Sequence, residues 1–427
     1  MRDSEAQQDR VESPAYSWYV LAVLFVVYLT NFADRHLVAV LLEPMKQELG
    51  ASDTQMGMLT GIAFAAFYVI FGLPVALWAD RGVRRSILAV GIAAWSVMTM
   101  ATGLGRSFVQ VLIARIGVGV GESTAGAPVH SLLSDYFPPS QRATALAIYT
   151  AGAQLGAMVG IMLGGWLSDQ YGWRTTFFIF GASGIPLAFL VRFTVAEPRR
   201  GRFDGPGLLR TPTLGEAIEY LRKRRSYGII LAADALLIAT SYGASSWHPT
   251  FLRRVHEMSG AEAGFWVGLV NIAALAGGIL CAVLADRLGR RDLRWYLWLP
   301  ALASLLALPL TLAFPLWSDG STAVFLLAPW SFLTGSIQGP IYAMVQAVAP
   351  PAMRALAAAI LLFVMSLIGL GLGPTLVGIA SDSFTPRFGD EAIRYALLLV
   401  APLQLLGVAL CVAAARSLRS DVALARA

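Results

Sequence analysis

Four charged residues lie inside long apolar stretches of the sequence: Asp34, Arg35, Arg115 and Glu122. A charge near the centre of a bilayer costs about 2.5–3.5 kcal/mol on insertion scales, so such a residue is by default a functional candidate. A buried carboxylate beside an arginine can exchange a proton, because burial favours the neutral form and the arginine favours the charged form. We therefore expect at least one of the two carboxylates to carry a proton, with Glu122 the stronger candidate. The alternative is that the four residues form structural ion pairs.

Arg115 and Glu122 are seven positions apart, which places them on one face of a helix and about 10 Å apart along its axis. Three glycines between them leave another face without side chains and predict close packing of a neighbouring helix. They are Gly117, Gly119 and Gly121. A guanidinium keeps its charge and presents a planar fork of donors that fits phosphate or carboxylate. Arg115 is therefore predicted to bind the negative group of a substrate, and Asp34 can anchor either Arg35 or Arg115.

The composition defines the elements that must position these charges. The chain has 427 residues, of which 57% are hydrophobic and only 14% charged, with a mean hydropathy of +0.64. A soluble domain carries about 25% charged residues, so a soluble globule of this size is disfavoured and a polytopic membrane protein is expected. The formal net charge of +6 is then expected to reflect basic residues that orient the helices in the membrane, and we expect no nucleic-acid partner.

Twelve apolar runs are long enough to cross a bilayer, which takes about 20 residues each. Because lipid leaves no partner for exposed backbone groups, runs of this length must be helical. The sequence therefore predicts an all-α membrane protein with twelve transmembrane helices in two six-helix bundles. The runs are 18–40, 55–79, 86–105, 108–133, 143–167, 174–195, 227–250, 262–285, 295–316, 321–349, 355–380 and 391–415.

The longest connection between these runs divides the chain into three predicted parts. They are an N-terminal bundle (1–195), a linker (196–226) and a C-terminal bundle (227–427). The linker carries Thr213-x-x-Glu216, a capping-box pattern, and predicts a short amphipathic helix on the inner leaflet. Most Arg and Lys residues lie in the connections on one side of the predicted spans. Because basic residues are enriched in cytoplasmic loops, both termini are predicted to be cytoplasmic, and the protein is expected in the inner membrane of the cell.

An internal repeat links the two halves. Gly72 precedes Asp80 by eight positions, as Gly278 precedes Asp286, and in both copies Arg follows the Asp at +1, +4 and +5. Pro139-x-x-Arg142 against Pro351-x-x-Arg354, and Ser168-Asp169 against Ser381-Asp382, extend the repeat. This pattern indicates a duplicated six-helix unit in parallel orientation. The repeated charges predict an inner gate, against the simpler alternative of topogenic charges. The predicted gating residues are Asp80, Arg81, Arg85, Asp286, Arg287 and Arg291.

These motifs carry a resemblance to known families. The Gly-x7-Asp-Arg-x3-Arg segment that begins at Gly72 is similar to the loop motif of the major facilitator superfamily. Asn31-Phe-Ala-Asp34-Arg35, the segment from Arg115 through Glu122-Ser, and Asp135-Tyr-Phe-Pro resemble motifs of the Spinster family. The resemblance implies a transporter of lipid-like amphiphiles, such as lysophospholipids or sphingosine phosphates, driven by protons.

We therefore expect a secondary transporter that works by alternating access, with a substrate site near the membrane midplane between the halves. One alternative is a proton-coupled carrier of small organic anions, drugs or sugars. Another is a non-transporting receptor or scaffold, which would not need the buried charges. Further substrate-contact candidates, for which a helix–helix packing contact is the favoured alternative, are Asn31, Tyr68, Tyr149, Gln154, Tyr242, Trp247, Gln338 and Tyr342.

The sequence offers no nucleotide-binding loop and no hydrolase or metalloprotease motif, so we expect no enzyme, no cofactor and no metal. The expected partners are a small-molecule or lipid substrate, protons and membrane lipids, and the chain is expected to act as a monomer.

Overall fold

The computed structural model describes residues 13–203 and 213–426, and within these ranges every regular element is helical. The predicted linker lies partly outside this region, since residues 204–212 are not described. The predicted cytoplasmic N-terminus, residues 1–12, also lies outside the described residues.

The first half of the chain forms seven α-helices. Apolar side chains fill long segments that can satisfy their own backbone hydrogen bonds, which is the local condition for helices in lipid. The helices are α1 (Pro14–Leu49), α2 (Asp53–Thr60), α3 (Ile62–Arg81), α4 (Arg84–Leu104), α5 (Phe108–Glu122), α6 (Ala127–Tyr136) and α7 (Pro139–Thr194).

The second half forms eleven further α-helices, and a separate π-helical segment occupies Met365–Leu372. They are α8 (Leu214–Arg222), α9 (Arg225–Ser245), α10 (His248–Val255), α11 (Gly260–Gly289), α12 (Trp295–Leu316), α13 (Gly320–Gly335), α14 (Gln338–Ala347), α15 (Arg354–Val364), α16 (Gly373–Phe388), α17 (Ala392–Leu398) and α18 (Val400–Arg426). The predicted capping box begins α8: the Thr213 side chain accepts from the Glu216 N–H, and the Glu216 side chain accepts from the Thr213 N–H.

Ten helical stretches in the described chain are long and apolar enough to cross a membrane. Two of them far exceed the roughly 20 residues of one crossing: Pro139–Thr194 has 56 residues and Pro351–Ala425 has 75. The first is broken at Gly172, whose φ of 79° and ψ of 160° are not helical. The second is interrupted at Gly389, where φ is 54°. The helical membrane class is confirmed, and the division into twelve crossings stays a prediction.

The chain divides into two compact units. As far as the structure describes them, one comprises Met1–Ala51, Ala63–Gly207 and Ser259–Phe265, and the other comprises Ser52–Ile62, Leu208–Met258 and Trp266–Ala427. The boundaries at 195 and 226 stay a prediction.

Close backbone approaches hold the first unit together. A Cβ on Gly160 of α7 would lie 2.2 Å from the carbonyl oxygen of Ala33, so α7 contacts α1 through its backbone next to Asp34. A Cβ on Gly121 of α5 would lie 2.7 Å from the backbone nitrogen of Trp95 in α4. The glycine positions of α5 therefore serve close helix packing, as predicted from their spacing.

The second unit has a core of its own, formed by apolar side chains of α9, α12, α14, α15 and α18. Here α18 packs along α9, and a Cβ on Gly407 would meet the Leu237 side chain at 2.7 Å. This packing buries one face of α9, including Asp234.

Candidate functional site

A buried ion pair between α1 and α5 is the centre of the site in the first unit. Nη2 and Nε of Arg35 donate to Oε2 of Glu122 at 2.8 and 3.0 Å. The Glu122 side chain is fully buried and that of Arg35 is 10% exposed. A charge-assisted contact through two N–H groups is among the stronger hydrogen bonds in proteins. The structure thus identifies Arg35 as an arginine that directly contacts Glu122.

The second carboxylate of the site belongs to Asp34, the residue before Arg35. It is buried and accepts a hydrogen bond from the Thr99 hydroxyl of α4. Asn31, one turn earlier on α1, is also buried, and its Oδ1 is 3.5 Å from Nη2 of Arg35. Hydrogen bonds between side chains of different helices therefore hold both carboxylates in place.

Aromatic rings surround the cations of this site. The guanidinium of Arg35 lies 4.5 Å from the Phe32 ring, 4.7 Å from Phe64 and 4.9 Å from Tyr68. The Arg115 guanidinium lies 5.7 Å from the same Phe64 ring and is buried. Cation–π contacts of this kind stabilise a desolvated cation by about 2 kcal/mol or more. Phe64 thus brings Arg35 and Arg115 into one cluster.

The other predicted contact residues of the first unit have different surroundings. Tyr149 is buried, stacks on Tyr28 at 4.2 Å and donates to the Ala125 carbonyl at 2.7 Å. Tyr68 lies in the aromatic group around Arg35, whereas Gln154 is exposed on α7.

The predicted contact residues of the second unit are spread over α9, α14 and the turn before α10. Trp247 is buried and its indole N–H donates to the Pro374 carbonyl at 3.0 Å. Gln338 donates to Asp234 at 3.1 Å. Tyr342 packs against the core of this unit, and Tyr242 is half-buried on α9.

The first copy of the repeated loop contains an exposed part and a buried part. Asp80 and Arg81 are exposed, and the Asp80 backbone carbonyl accepts from Arg200 at 2.7 Å. Arg85 donates to the Val195 carbonyl at 3.1 Å. The buried part is Arg84, which the sequence analysis did not select as a site residue.

Arg84 forms the most extensive buried ion network of this loop. Its side chain is 1% exposed and contacts Asp135 at 2.5 Å and Glu197 at 2.7 Å. It also donates to Ser131 at 2.8 Å and to the Pro198 carbonyl at 3.2 Å. The signal was present in the sequence, since Arg84 is the +4 arginine of the repeat and Asp135 begins the Asp-Tyr-Phe-Pro motif.

The second copy of the loop is more exposed. The Asp286 carboxylate accepts from the Tyr296 hydroxyl at 2.7 Å, and Arg287 and Arg291 are exposed. In the turn that follows, Arg294 beside Asp292 lowers the pKa of that carboxyl to about 2. Asp292 also forms an ion pair with Arg419 of α18 at 2.6 Å.

The repeated Ser-Asp pairs, for which the sequence suggested no role, cap helices. Asp169 accepts from the backbone N–H groups of Gly260 and Ala261 at the start of α11, at 3.1 and 2.6 Å. Asp382 does the same for Asp53 and Thr54 at the start of α2, at 2.9 and 2.7 Å. A carboxylate in this position satisfies free N–H groups and favours the positive end of the helix dipole.

A further buried pair in the second unit was also missed. Asp53 contacts Arg254 through both carboxylate oxygens, at 2.6 and 2.7 Å, and accepts from Ser381 at 2.6 Å. Both residues lie near the ends of apolar runs, where a charge is ordinary in a sequence, so no local signal marked them. As for metals, no group of three or more His, Cys, Asp or Glu in the part of the chain that the structure describes could hold an ion.

Long apolar helices with a buried, hydrogen-bonded ion cluster indicate an integral membrane protein in which these charges serve a function. Residues 24–374 match the sequence profile of the Major Facilitator Superfamily, and the chain belongs to that family. It is 36% identical over 417 residues to an MFS-type efflux pump of Mycolicibacterium smegmatis, covering 97% of this chain and 96% of the relative. It is 27% identical over 435 residues to protein spinster homolog 3 of Danio rerio, covering 95% and 86%.

A solved structure has the same fold. The crystal structure of a bacterial homolog of the human lysosomal transporter Spinster, inward-facing and unoccupied, superposes with a TM-score of 0.89. The two sequences are 29% identical, and the match covers 96% of this chain and 99% of that chain. The resemblance to Spinster stated from the sequence motifs is thereby confirmed.

Proposed function

We propose that this transporter couples a proton gradient to the movement of an anionic amphiphile, such as a lysophospholipid or a sphingosine-phosphate-like lipid. It works by alternating access with twelve transmembrane helices in two bundles, 1–195 and 227–427, joined by the linker 196–226. It resides in the cell inner membrane as a monomer with both termini in the cytoplasm.

The observation that carries the proposal is the Arg35–Glu122 pair inside apolar helices. Removing one partner of a buried pair leaves an uncompensated charge at a cost of about 3–5 kcal/mol. A conformational change that separates the two groups therefore favours proton uptake by Glu122, and re-formation of the pair favours release. Asp34 lies one residue from Arg35 and is the second candidate for the same role.

The anionic substrate class is supported by the composition of the cluster. Arg35 and Arg115 share the Phe64 ring, and an arginine can bind a phosphate through two parallel hydrogen bonds. The expectation of a lipid-like substrate comes from the resemblance of the sequence motifs to the Spinster family, to which protein spinster homolog 3 and the crystallised bacterial homolog are related by name.

Uptake by purified protein in liposomes tests the coupling. Lysophosphatidic acid is the probe, and an inward proton gradient is imposed on wild type and on Glu122→Gln. We expect wild-type movement of the probe to respond to the gradient and the Glu122→Gln response to fall at least tenfold, because the amide cannot ionise. Glu262→Gln, which removes an exposed carboxylate from the start of α11, is the matched control. An unchanged response in Glu122→Gln moves the proton role to Asp34, which Asp34→Asn then tests.

A second candidate function is proton-coupled export of small organic anions or drugs. It is favoured by the 36% identity to an MFS-type efflux pump over nearly the whole chain. A fluorescent organic anion without an acyl chain, assayed beside lysophosphatidic acid, separates the two substrate classes. Gradient-driven movement of the organic anion alone overturns the lipid proposal, and movement of neither probe favours the receptor alternative.

A further inference from the structure

Asp234 is a buried carboxylate in the second unit that the proposed coupling does not use. It lies near the middle of α9, nine residues from Arg225, or about 13 Å along the axis, and is 0% exposed. Its sequence surroundings are apolar, Leu231-Ala-Ala-Asp234-Ala-Leu-Leu237. The position is not a repeat copy of Asp34, because the offset between the halves relates Asp34 to the region of Thr240.

The contacts of Asp234 provide no positive charge. Oδ1 accepts from the Gln338 amide of α14 at 3.1 Å, and Oδ2 has no hydrogen-bond partner. The helix α18, which packs along α9, contributes the buried thiol of Cys411 to the same core. Within the described chain, no arginine, lysine or histidine forms an ion pair or a hydrogen bond with Asp234. The surroundings differ in this respect from those of Glu122, which has Arg35.

An isolated carboxylate in an apolar interior is unstable unless it is neutralised. With only an amide donor present, the carboxyl group is neutralised by a proton. A protonated carboxyl group also gains a donor, which Oδ2 can use when a water or a neighbouring acceptor comes within reach.

A small polar cavity lies about 10 Å further along α9, on the same side of the helix. Ser241, seven residues after Asp234 and therefore on the same helical face, lines it together with Ile337, the neighbour of Gln338. Thr334, Gln404 and Ser304 add polar groups to its wall, and the Ser304 hydroxyl has no hydrogen-bond partner. The cavity offers about 10 Å³ to the centre of a water molecule, close to the ~10–15 Å³ that one ordered water requires.

We propose that Asp234 is a proton-binding site of the second unit, hydrogen-bonded to Gln338, with the polar cavity lined by Ser241, Ser304 and Gln404 about 10 Å further along α9. It is distinct from the Arg35–Glu122 cluster and does not depend on the function proposed above. The ligand is the proton itself, and the site gives the transporter a protonatable carboxyl group in each unit.

Infrared spectroscopy of the reconstituted full-length chain over a pH series tests this site without any substrate. Protonated carboxyl groups have a C=O stretch separate from that of carboxylates, and exposed Asp and Glu lose it near pH ~4. We expect wild type to keep a protonated-acid signal well above that pH, and Asp234→Asn to lose one acid's share of it. An Asp34→Asn/Glu122→Gln variant removes the signal of the first unit and should retain the Asp234 signal.

Three outcomes overturn the proposal. One is a protonated-acid signal that Asp234→Asn leaves unchanged. Another is a signal that persists to the highest pH reached, which indicates a structural acid that does not exchange its proton. The third outcome is seen with Gln338→Leu, which removes the hydrogen-bond donor to the Asp234 carboxylate. This variant tests the proposal even if Asp234→Asn does not fold. Gln338→Leu should move the loss of signal to higher pH while the control Gln346→Leu on the same helix does not, and equal behaviour of the two variants rejects the site.

Discussion

A few charged residues of this protein lie in positions where lipid makes a charge most costly. The pair of Arg35 and Glu122 joins α1 to α5, and Phe64 lies beside both Arg35 and Arg115. A cluster with two cations and two carboxylates can rearrange its pairing without leaving a net buried charge. An exchange of partners of this kind is what the proposed proton coupling requires.

Arg115 is predicted to bind the negative headgroup of the substrate. Lysine keeps the charge but lacks the planar fork, so Arg115→Lys should lose at least tenfold in affinity for lysophosphatidic acid and Arg115→Ala nearly all of it. Binding is measured beside a monoacylglycerol of the same acyl chain, which has no phosphate and should be affected far less. If both lipids weaken equally and both variants melt earlier, Arg115 is a structural residue of the cluster.

The elements of the first unit depend on the network of Arg84 at the start of α4. Its partners come from α6 and from the segment after α7, so one guanidinium fixes three parts of the chain. The exposed neighbours Asp80 and Arg81 make no comparable contacts in the described residues. Two arginines of one short loop therefore have different roles.

Arg84→Ala should lower the free energy of unfolding by about 3–5 kcal/mol, because it leaves Asp135 buried without its cation. Arg81→Ala is the matched control, and its change should stay within about 0.5 kcal/mol, as is usual for exposed positions. Unfolding of both variants in detergent, followed by circular dichroism, measures the difference. Similar values for the two would show that the buried network contributes little to stability.

At the scale of the whole molecule, the repeated loops are predicted to control the inner end of the transport path. Asp80→Asn should shift the population toward inward-open states, because it removes the charge of one gate partner, and a few kcal/mol inverts a two-state equilibrium. Distances between spin labels on the inner ends of the two halves should lengthen in Asp80→Asn. The exposed Asp390→Asn serves as control. An unchanged distance distribution in Asp80→Asn would reject the gate.

The number of crossings is a second property of the whole molecule. Twelve crossings put both termini on one side of the membrane, whereas an odd number separates them. In a chain whose Cys281 and Cys411 are replaced by serine, Ser4→Cys and Ala427→Cys should react equally with an impermeant thiol reagent, and only in inside-out vesicles. Labelling of the two positions from opposite sides would contradict the proposed topology.

Much of the architecture could be predicted from the sequence because lipid imposes local rules. Each backbone group must find its partner within its own helix, so apolar runs alone identify the helical class. The capping box at Thr213 and the glycine-rich face of α5 are also local, and both have the structure that their spacing predicts. The cost of a buried charge marked Asp34, Arg35, Arg115 and Glu122 as one group before their geometry was known.

Only the tertiary structure decided which charges meet. Arg35 and Glu122 are 87 residues apart, and Asp234 and Gln338 are 104 apart, so the spacing of neither pair carries information about contact. The same holds for Arg84, whose partners Asp135 and Glu197 are 51 and 113 residues away in the chain. The physical reason is that helix formation in lipid depends on hydropathy along one segment, whereas ion pairing depends on the rotation and depth of helices that pack against each other. Those two variables are set by the packing of side chains from the whole unit, and no single stretch of sequence contains them.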